Sequence, residues 1–174
     1  MSLMVGNRED SKSFSVITKG PADTQAFGAC VGSVLFPGAV VGLVGELGAG
    51  KTCFVKGVAY GVNATPDHEV TSPTFALLHE YVGSPSVYHF DAYRIDTCSE
   101  FTALGFDEYL EAGGIVVVEW ADQVIEAFPE QRLMVSFEIR TGNERCITCV
   151  AYGAAYDALL EKLRSYDTMV GQTV

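Results

Sequence analysis

Gly45-Glu46-Leu47-Gly48-Ala49-Gly50-Lys51-Thr52 reads as a glycine, four residues and then Gly-Lys-Thr, set between an apolar run, Val40-Val41-Gly42-Leu43-Val44, and a segment suited to a helix, residues 51–60. The setting decides the reading. A buried strand delivers the chain to the loop, the glycines let successive N–H groups converge on an anion, and the following helix aims its positive end at the same point. In a phosphate-binding loop of this kind the lysine, here Lys51, reaches the β- and γ-phosphates of a nucleotide, and the hydroxyl of the next residue, Thr52, sits on magnesium. Eight such residues in isolation also describe an ordinary glycine-rich turn. The flanking strand and helix favour nucleotide binding.

Working outward, residues 13–17 suit a short first strand. Phe27, Cys30, Val31, Val34 and Leu35 recur at helical spacing, which predicts a helix over residues 22–36 lying beside the loop strand, with Asp23 or Thr24 as N-cap and Pro37-Gly38 as the stop. Downstream, Gly61 is a natural C-cap for the loop helix. Thr71-Ser72-Pro73-Thr74 interrupts the pattern, strands are expected at 75–82 and 87–91, and short helical pieces at 100–104 and 107–112. Ile115-Val116-Val117-Val118-Glu119 is the clearest buried strand. A helix at 122–128, a hairpin of strands 133–139 and 146–151 around Thr141-Gly142-Asn143-Glu144, and a terminal helix at 154–166 complete the pattern. The sum is an α/β fold, a single P-loop NTPase domain over residues 13–166 with a mixed, mostly parallel sheet flanked by helices, and flexible termini at 1–12 and 167–174.

Composition narrows the class. At 174 residues, 48% apolar and 19% charged, the chain is long enough for one buried core and too apolar for disorder. It has no membrane-length apolar stretch and no signal-peptide core at its start, so a cytoplasmic protein without membrane contact is expected. The five cysteines are odd in number and scattered, which suits reduced thiols. Cys146 and Cys149 have the spacing of a redox or metal pair, yet residues three apart in a strand point to opposite faces. A net charge of −11, with 22 acids against 11 bases, argues against a direct grip on nucleic acid.

Phosphoryl chemistry needs more than a loop. Glu119 ends a run of four apolar residues in the manner of a Walker B acid, at the strand end where open α/β sheets bind ligands, and it can hold magnesium or orient water. Asp91 competes for that role. In His89-Phe90-Asp91-Ala92-Tyr93-Arg94, alternation puts His89, Asp91 and, if the strand extends that far, Tyr93 on one face, either as a polar ridge near the phosphates or as a half-exposed strand with a hydrogen-bonded core histidine. Arg94, the only Lys or Arg between Lys56 and Arg132, suits pairing with an acid or contact with nucleotide. The hydroxyls around Pro73 can form a turn or a segment that orders on triphosphate. Trp120, the only tryptophan, follows Glu119 directly and is a natural reporter of nucleotide occupancy.

Taken in order, the phosphate loop, Ser72-Pro73-Thr74, His89-Phe90-Asp91-Ala92-Tyr93-Arg94 and Glu119-Trp120 resemble the TsaE (YjeE) family, small bacterial ATPases of tRNA threonylcarbamoyladenosine synthesis, across about residues 20–150. The resemblance implies ATP or ADP cradled by Glu46, Leu47, Gly48, Ala49, Gly50, Lys51, Thr52 and Cys53, with Mg2+ held by Thr52 and Glu119. It implies catalytic roles for Lys51, Glu119, Asp91, in hydrolysis or metal ordering, and Thr74, in a switch-like loop. Thr24 is implied to lie near the base or sugar, and Arg145 to approach the nucleotide. Cys53 stands where family members often carry a second threonine, so that hydroxyl is lost. The implied activity is weak, partner-dependent ATP hydrolysis with TsaB and TsaD that resets the complex between turnovers, with tRNA met only through those partners. A small-molecule kinase and a nucleotide-sensing module without turnover are the alternatives; a kinase lid is expected to bring several bases, and the central third of the chain offers only Arg94. No Asn-Lys-x-Asp guanine motif begins at Asn7, Asn63 or Asn143.

Overall fold

The computed structural model describes residues 12–64 and 72–170; of the termini expected to be flexible, 1–12 and 167–174, residues 1–11 and 171–174 lie outside the described residues, as does Thr71. In chain order the elements are β1 (Ser13–Thr18), α1 (Pro21–Val34), β2 (Val40–Gly45), α2 (Lys51–Gly61), β3 (Leu78–Tyr81), β4 (Val87–Asp91), α3 (Cys98–Thr102), α4 (Phe106–Glu111) and β5 (Ile115–Glu119). A 3-10 segment (Ala121–Ala127), β6 (Arg132–Ile139), β7 (Arg145–Tyr152) and α5 (Ala154–Val170) follow.

The strands form one sheet of seven in the order β1-β7-β6-β2-β5-β4-β3. Neighbours β6, β2, β5 and β4 run parallel, while β7 and β3 run against them and β1 pairs antiparallel with β7. The sheet is therefore mixed and mostly parallel in strand direction, as its sequence pattern indicates. Strands covered on both faces read as unbroken apolar runs, which is why β2 and β5 are the most legible elements: all five residues of β5 are buried.

Parallel pairing has a direct consequence for function. Leu43 of β2 and Asp91 of β4 both pair with Glu119 of β5, so the phosphate loop and both candidate carboxylates leave the sheet at one end. Helices α1, α2 and α5 cover one face, over a core that includes Val41, Leu43, Phe54, Val58, Val117 and Leu160. Helices α3 and α4 and the 3-10 segment cover the other, over Val40, Phe90, Phe101, Phe106, Val116 and Val118.

Several elements differ from their expected form. Helix α1 begins at Pro21 after Gly20, with no side-chain cap; Asp23 instead accepts from the Lys19 amide at 2.9 Å. It also lies chiefly against α2 rather than beside β2. Gly61 is not the C-cap, which is Val62, but the last helical residue of α2. Its purpose is close approach. A Cβ at Gly57 would stand 2.0 Å from the Gln25 carbonyl oxygen, and one at Gly61 would stand 2.1 Å from that of Ala29, so α1 and α2 meet backbone to backbone.

The expected strand at 75–82 is shortened to Leu78–Tyr81. Leu77 takes a left-handed φ of 64° and its amide bonds the Pro73 carbonyl, which turns the chain and leaves Phe75 86% exposed. Helix α5 continues to Val170, past the expected end at Tyr166. The five cysteines are free; Cys149 is buried, its thiol pushed up to about 12 by desolvation, while Cys146 is half-buried. Among the described residues no helix is long and apolar enough to cross a membrane.

Candidate nucleotide site

The loop joins β2 to α2 through Gly48 (φ 77°) and Gly50 (φ 105°), both in the left-handed region that a side chain resists. Gly50 is the N-cap of α2 and no side chain caps this end, so the first amides of the helix point outward with the positive end of its dipole. An anion is the natural partner of such an end. Lys51, the first helical residue, is buried; its Nζ donates to the carbonyls of Gly45 at 2.5 Å and Glu46 at 2.9 Å. Burial lowers its pKa, opposed by the charges of Glu119, Asp91 and Asp122. The ammonium also lies 3.9 Å from the centre of the Trp120 ring. Leu47, 80% exposed, stands at the rim, whereas Ala49 is fully buried beneath the loop.

Glu119 and Thr52 come together as the sequence indicates. The Thr52 hydroxyl donates to Glu119 Oε1 at 2.8 Å, and Glu119 is only 3% exposed. A hydroxyl and a carboxylate this close are hard oxygen donors, the type Mg2+ prefers. On the same oxygen, Glu119 also accepts from His89 Nε2 at 2.9 Å. Of the two readings of His89, it is a buried, hydrogen-bonded core residue, and the bond it makes reaches into the site.

Asp91, 2% exposed, is committed differently. Its Oδ2 accepts from the Ser72 hydroxyl and, at 2.9 Å, from that of Thr74, and its Oδ1 accepts from the Tyr93 amide at 2.9 Å. The Ser72-Pro73-Thr74 segment is thus tied to the end of β4. Lys51, Thr52, Thr74, Asp91, Glu119 and Trp120 all line one cleft of about 320 Å3.

Thr24, Gly48, Ala49, Gly50, Cys53 and Arg145 line an adjoining, smaller cavity of about 90 Å3. Thr24 is buried and shares a 2.9 Å hydroxyl bond with Thr18, whose strand position pairs with Arg145. Arg145 donates to the Glu144 carbonyl at 3.0 Å, so its guanidinium rests on the β6–β7 turn. Cys53 borders both cavities and its thiol donates to the Pro21 carbonyl at 3.1 Å; desolvation raises its pKa. All residues singled out for the site except Glu46 therefore line two adjoining cavities at the loop, and Glu46 contributes its carbonyl to Lys51.

Three features escaped the sequence reading. Trp120 holds a left-handed backbone (φ 59°), uncommon outside glycine, and its ring meets Lys51 and, at 5.0 Å, Tyr93. Arg94 lies over the exposed ring of Phe75, 4.6 Å from its centre, and pairs with no acid among the described residues. Tyr81 approaches His89 Nδ1 at 3.2 Å, its phenol pushed up to about 12 by desolvation and then by the charge of Glu119. Only the Glu-Trp adjacency and the spacing of His89 hinted at these contacts.

A parallel strand feeding a glycine loop, followed at once by a helix that begins Lys-Thr and faced by an acid from the neighbouring strand end, defines a P-loop α/β protein. A family model described as "Threonylcarbamoyl adenosine biosynthesis protein TsaE" matches residues 18–147. The chain belongs to the TsaE family. The tRNA threonylcarbamoyladenosine biosynthesis protein TsaE of Bacillus subtilis (strain 168) is 40% identical over 153 residues, covering 87% of this chain and 94% of that protein. Its counterpart in Treponema pallidum (strain Nichols) is 39% identical over 132 residues, covering 76% and 96%. The crystal structure of Bacillus subtilis YdiB superposes with a TM-score of 0.78 at 36% identity, covering 90% of this chain and 97% of the other.

Proposed function

We propose that this chain is the Mg2+-dependent, ATP-hydrolysing subunit of tRNA threonylcarbamoyladenosine modification, acting in the cytoplasm with TsaB and TsaD and resetting their complex between turnovers. The observation that carries the reading is the convergence of Lys51, Thr52 and Glu119 on one cleft at the phosphate loop, in a chain of the TsaE family. Loop and helix amides receive the triphosphate, and Lys51 exchanges the carbonyls of Gly45 and Glu46 for phosphate oxygens. Thr52 and Glu119 would hold Mg2+, which would supply positive charge against the triphosphate. Asp91 fixes the hydroxyls of Ser72 and Thr74, so Thr74 can answer the presence of a γ-phosphate. Thr24 and Arg145 meet the base and sugar in the adjoining cavity. A net charge of −11 suits a subunit that docks on proteins and leaves RNA to them.

The test is reconstitution. With purified TsaB and TsaD, modified tRNA should pass one equivalent per complex only when this chain is present, with phosphate release above that of the chain alone. Single-round modification irrespective of this chain contradicts the reset role, and phosphate transfer to a metabolite favours the kinase.

Glu119→Ala should bring phosphate release to background while ATP still binds in EDTA. Thr52→Ala should require more Mg2+ for the same release; an unchanged Mg2+ dependence rules out Thr52 as a ligand. Alkylation offers a separate check, because Cys53 borders both cavities. Saturating ADP should slow labelling of Cys53, followed by peptide mass spectrometry, and leave Cys98 labelling unchanged; equal Cys53 rates with and without ADP contradict the assigned position of the nucleotide.

A further inference from the structure

Glu119 is held from behind. His89 and Glu119 sit on adjacent parallel strands in diagonal register, since His89 pairs with Val117 and Asp91 with Glu119. Tyr81 stands in the same diagonal relation on the other side, because His89 pairs with His79 of β3. Same-face diagonal neighbours are within reach of long side chains. The three groups form a line across β3, β4 and β5, with His89 fully buried and Tyr81 and Glu119 at most 4% exposed. Such buried polar groups are costly unless paired, and here each bond is made: Tyr81 to His89 Nδ1 at 3.2 Å and His89 Nε2 to Glu119 at 2.9 Å.

Donor and acceptor roles follow from the chemistry of the ends. An ionised carboxylate only accepts, so His89 carries a proton on Nε2, and in the neutral imidazole Nδ1 is then the acceptor to which the Tyr81 phenol donates. Both bonds recorded to Glu119, from His89 and from Thr52, land on Oε1, which leaves Oε2 uncommitted among the described residues. We propose that His89 and Tyr81 are positioning residues for the Glu119 carboxylate: Tyr81 fixes the His89 tautomer, and His89 pins Oε1 so that the carboxylate meets a divalent cation in one orientation. The inference rests on the reading of Glu119 as a cation ligand. Hydrogen-bonded partners behind metal ligands commonly govern metal affinity by about 10- to 100-fold.

Two substitutions of similar polarity separate this role from simple core filling. A glutamine amide nitrogen reaches about where histidine Nε2 lies, whereas an asparagine nitrogen reaches only to Nδ1. Mn2+ uptake by the full chain with ATP, read by electron paramagnetic resonance, should be near wild type in His89→Gln and weaker by about 10- to 100-fold in His89→Asn. ATP binding in EDTA, read by Trp120 fluorescence, should be the same in both. Tyr81→Phe should weaken Mn2+ uptake by roughly two- to tenfold, the worth of one neutral hydrogen bond.

Equal Mn2+ uptake by the two His89 variants overturns the proposal. So does a loss of Mn2+ and of EDTA-insensitive ATP binding together with a lowered melting temperature in both, which marks a structural role only. A wild-type chain that takes up no Mn2+ with ATP overturns the reading of the site and this inference with it; wild-type uptake matched by His89→Asn overturns the inference alone.

Discussion

Lys51→Ala should weaken ATP binding by roughly 10- to 150-fold and bring phosphate release to background. The range is that of a hydrogen bond to a charged group, about 1.5–3 kcal/mol, at about 1.4 kcal/mol for each factor of ten. Turnover should suffer more than affinity, because charge on the transferred phosphoryl group grows toward the transition state and the ammonium answers that growth. Part of that cost is offset, because without nucleotide the Lys51 ammonium is held by the carbonyls of Gly45 and Glu46 and by the Trp120 face, contacts that wild type must exchange for phosphate oxygens and the variant need not. Burial holds the free-state pKa of Lys51 below the usual 10.5. The protonated form is the one that binds phosphate, so ATP affinity should fall with rising pH, beginning below the ordinary lysine range; Lys51→Ala should lose that limb. Calorimetric titration of ATP at several pH values reads both effects, and wild-type affinity in Lys51→Ala would remove the loop from the site.

Much of this site was legible because its parts are local. A glycine loop between an apolar strand and a helix is contiguous, and Ile115-Val116-Val117-Val118-Glu119 announces a strand buried on both faces with an acid at its end. Strand alternation correctly put His89 and Asp91 on one face, and that face is the one covered by α2. What stayed hidden depends on register or on packing. The His89–Glu119 bond exists only because β4 and β5 align as they do; a slip of one residue turns His89 to the other face. The apolar run after Pro73 reads as strand, yet the left-handed Leu77 breaks it and its carbonyl accepts from the Asp91 amide, serving the site rather than the sheet. Trp120 follows an extended strand, and nothing in its own chemistry announces a left-handed backbone. The glycines of α1 and α2 were the largest omission: Gly61 reads locally as a helix stop, and its partner across the interface is 32 residues away at Ala29.

That interface yields the second large expected effect. Gly57→Ala should destabilise the protein by about 2 kcal/mol or more, although alanine is the better helix former by about 1 kcal/mol. Propensity loses because the new Cβ would stand 2.0 Å from the Gln25 carbonyl oxygen and 2.8 Å from the Ala29 nitrogen, and backbone atoms cannot rotate aside as a side chain does. The helices must separate by an ångström or so. Separation also opens the core at Phe27 and Phe54, whose rings are 6.0 Å apart between the same two helices. For a chain of this size the melting temperature should fall by roughly 4–8 °C or more. The damage should reach the site, because α2 begins with Lys51 and Thr52, α1 carries Thr24, and the Cys53 thiol bonds the first residue of α1. Weaker ATP binding should therefore accompany the lower melting temperature, and saturating ATP should recover less stability in Gly57→Ala than in wild type. Thermal unfolding with and without ATP measures both. A Gly57→Ala protein that melts higher than wild type would mean that α1 and α2 do not meet at their backbones, and that the loop helix is held by side-chain packing alone.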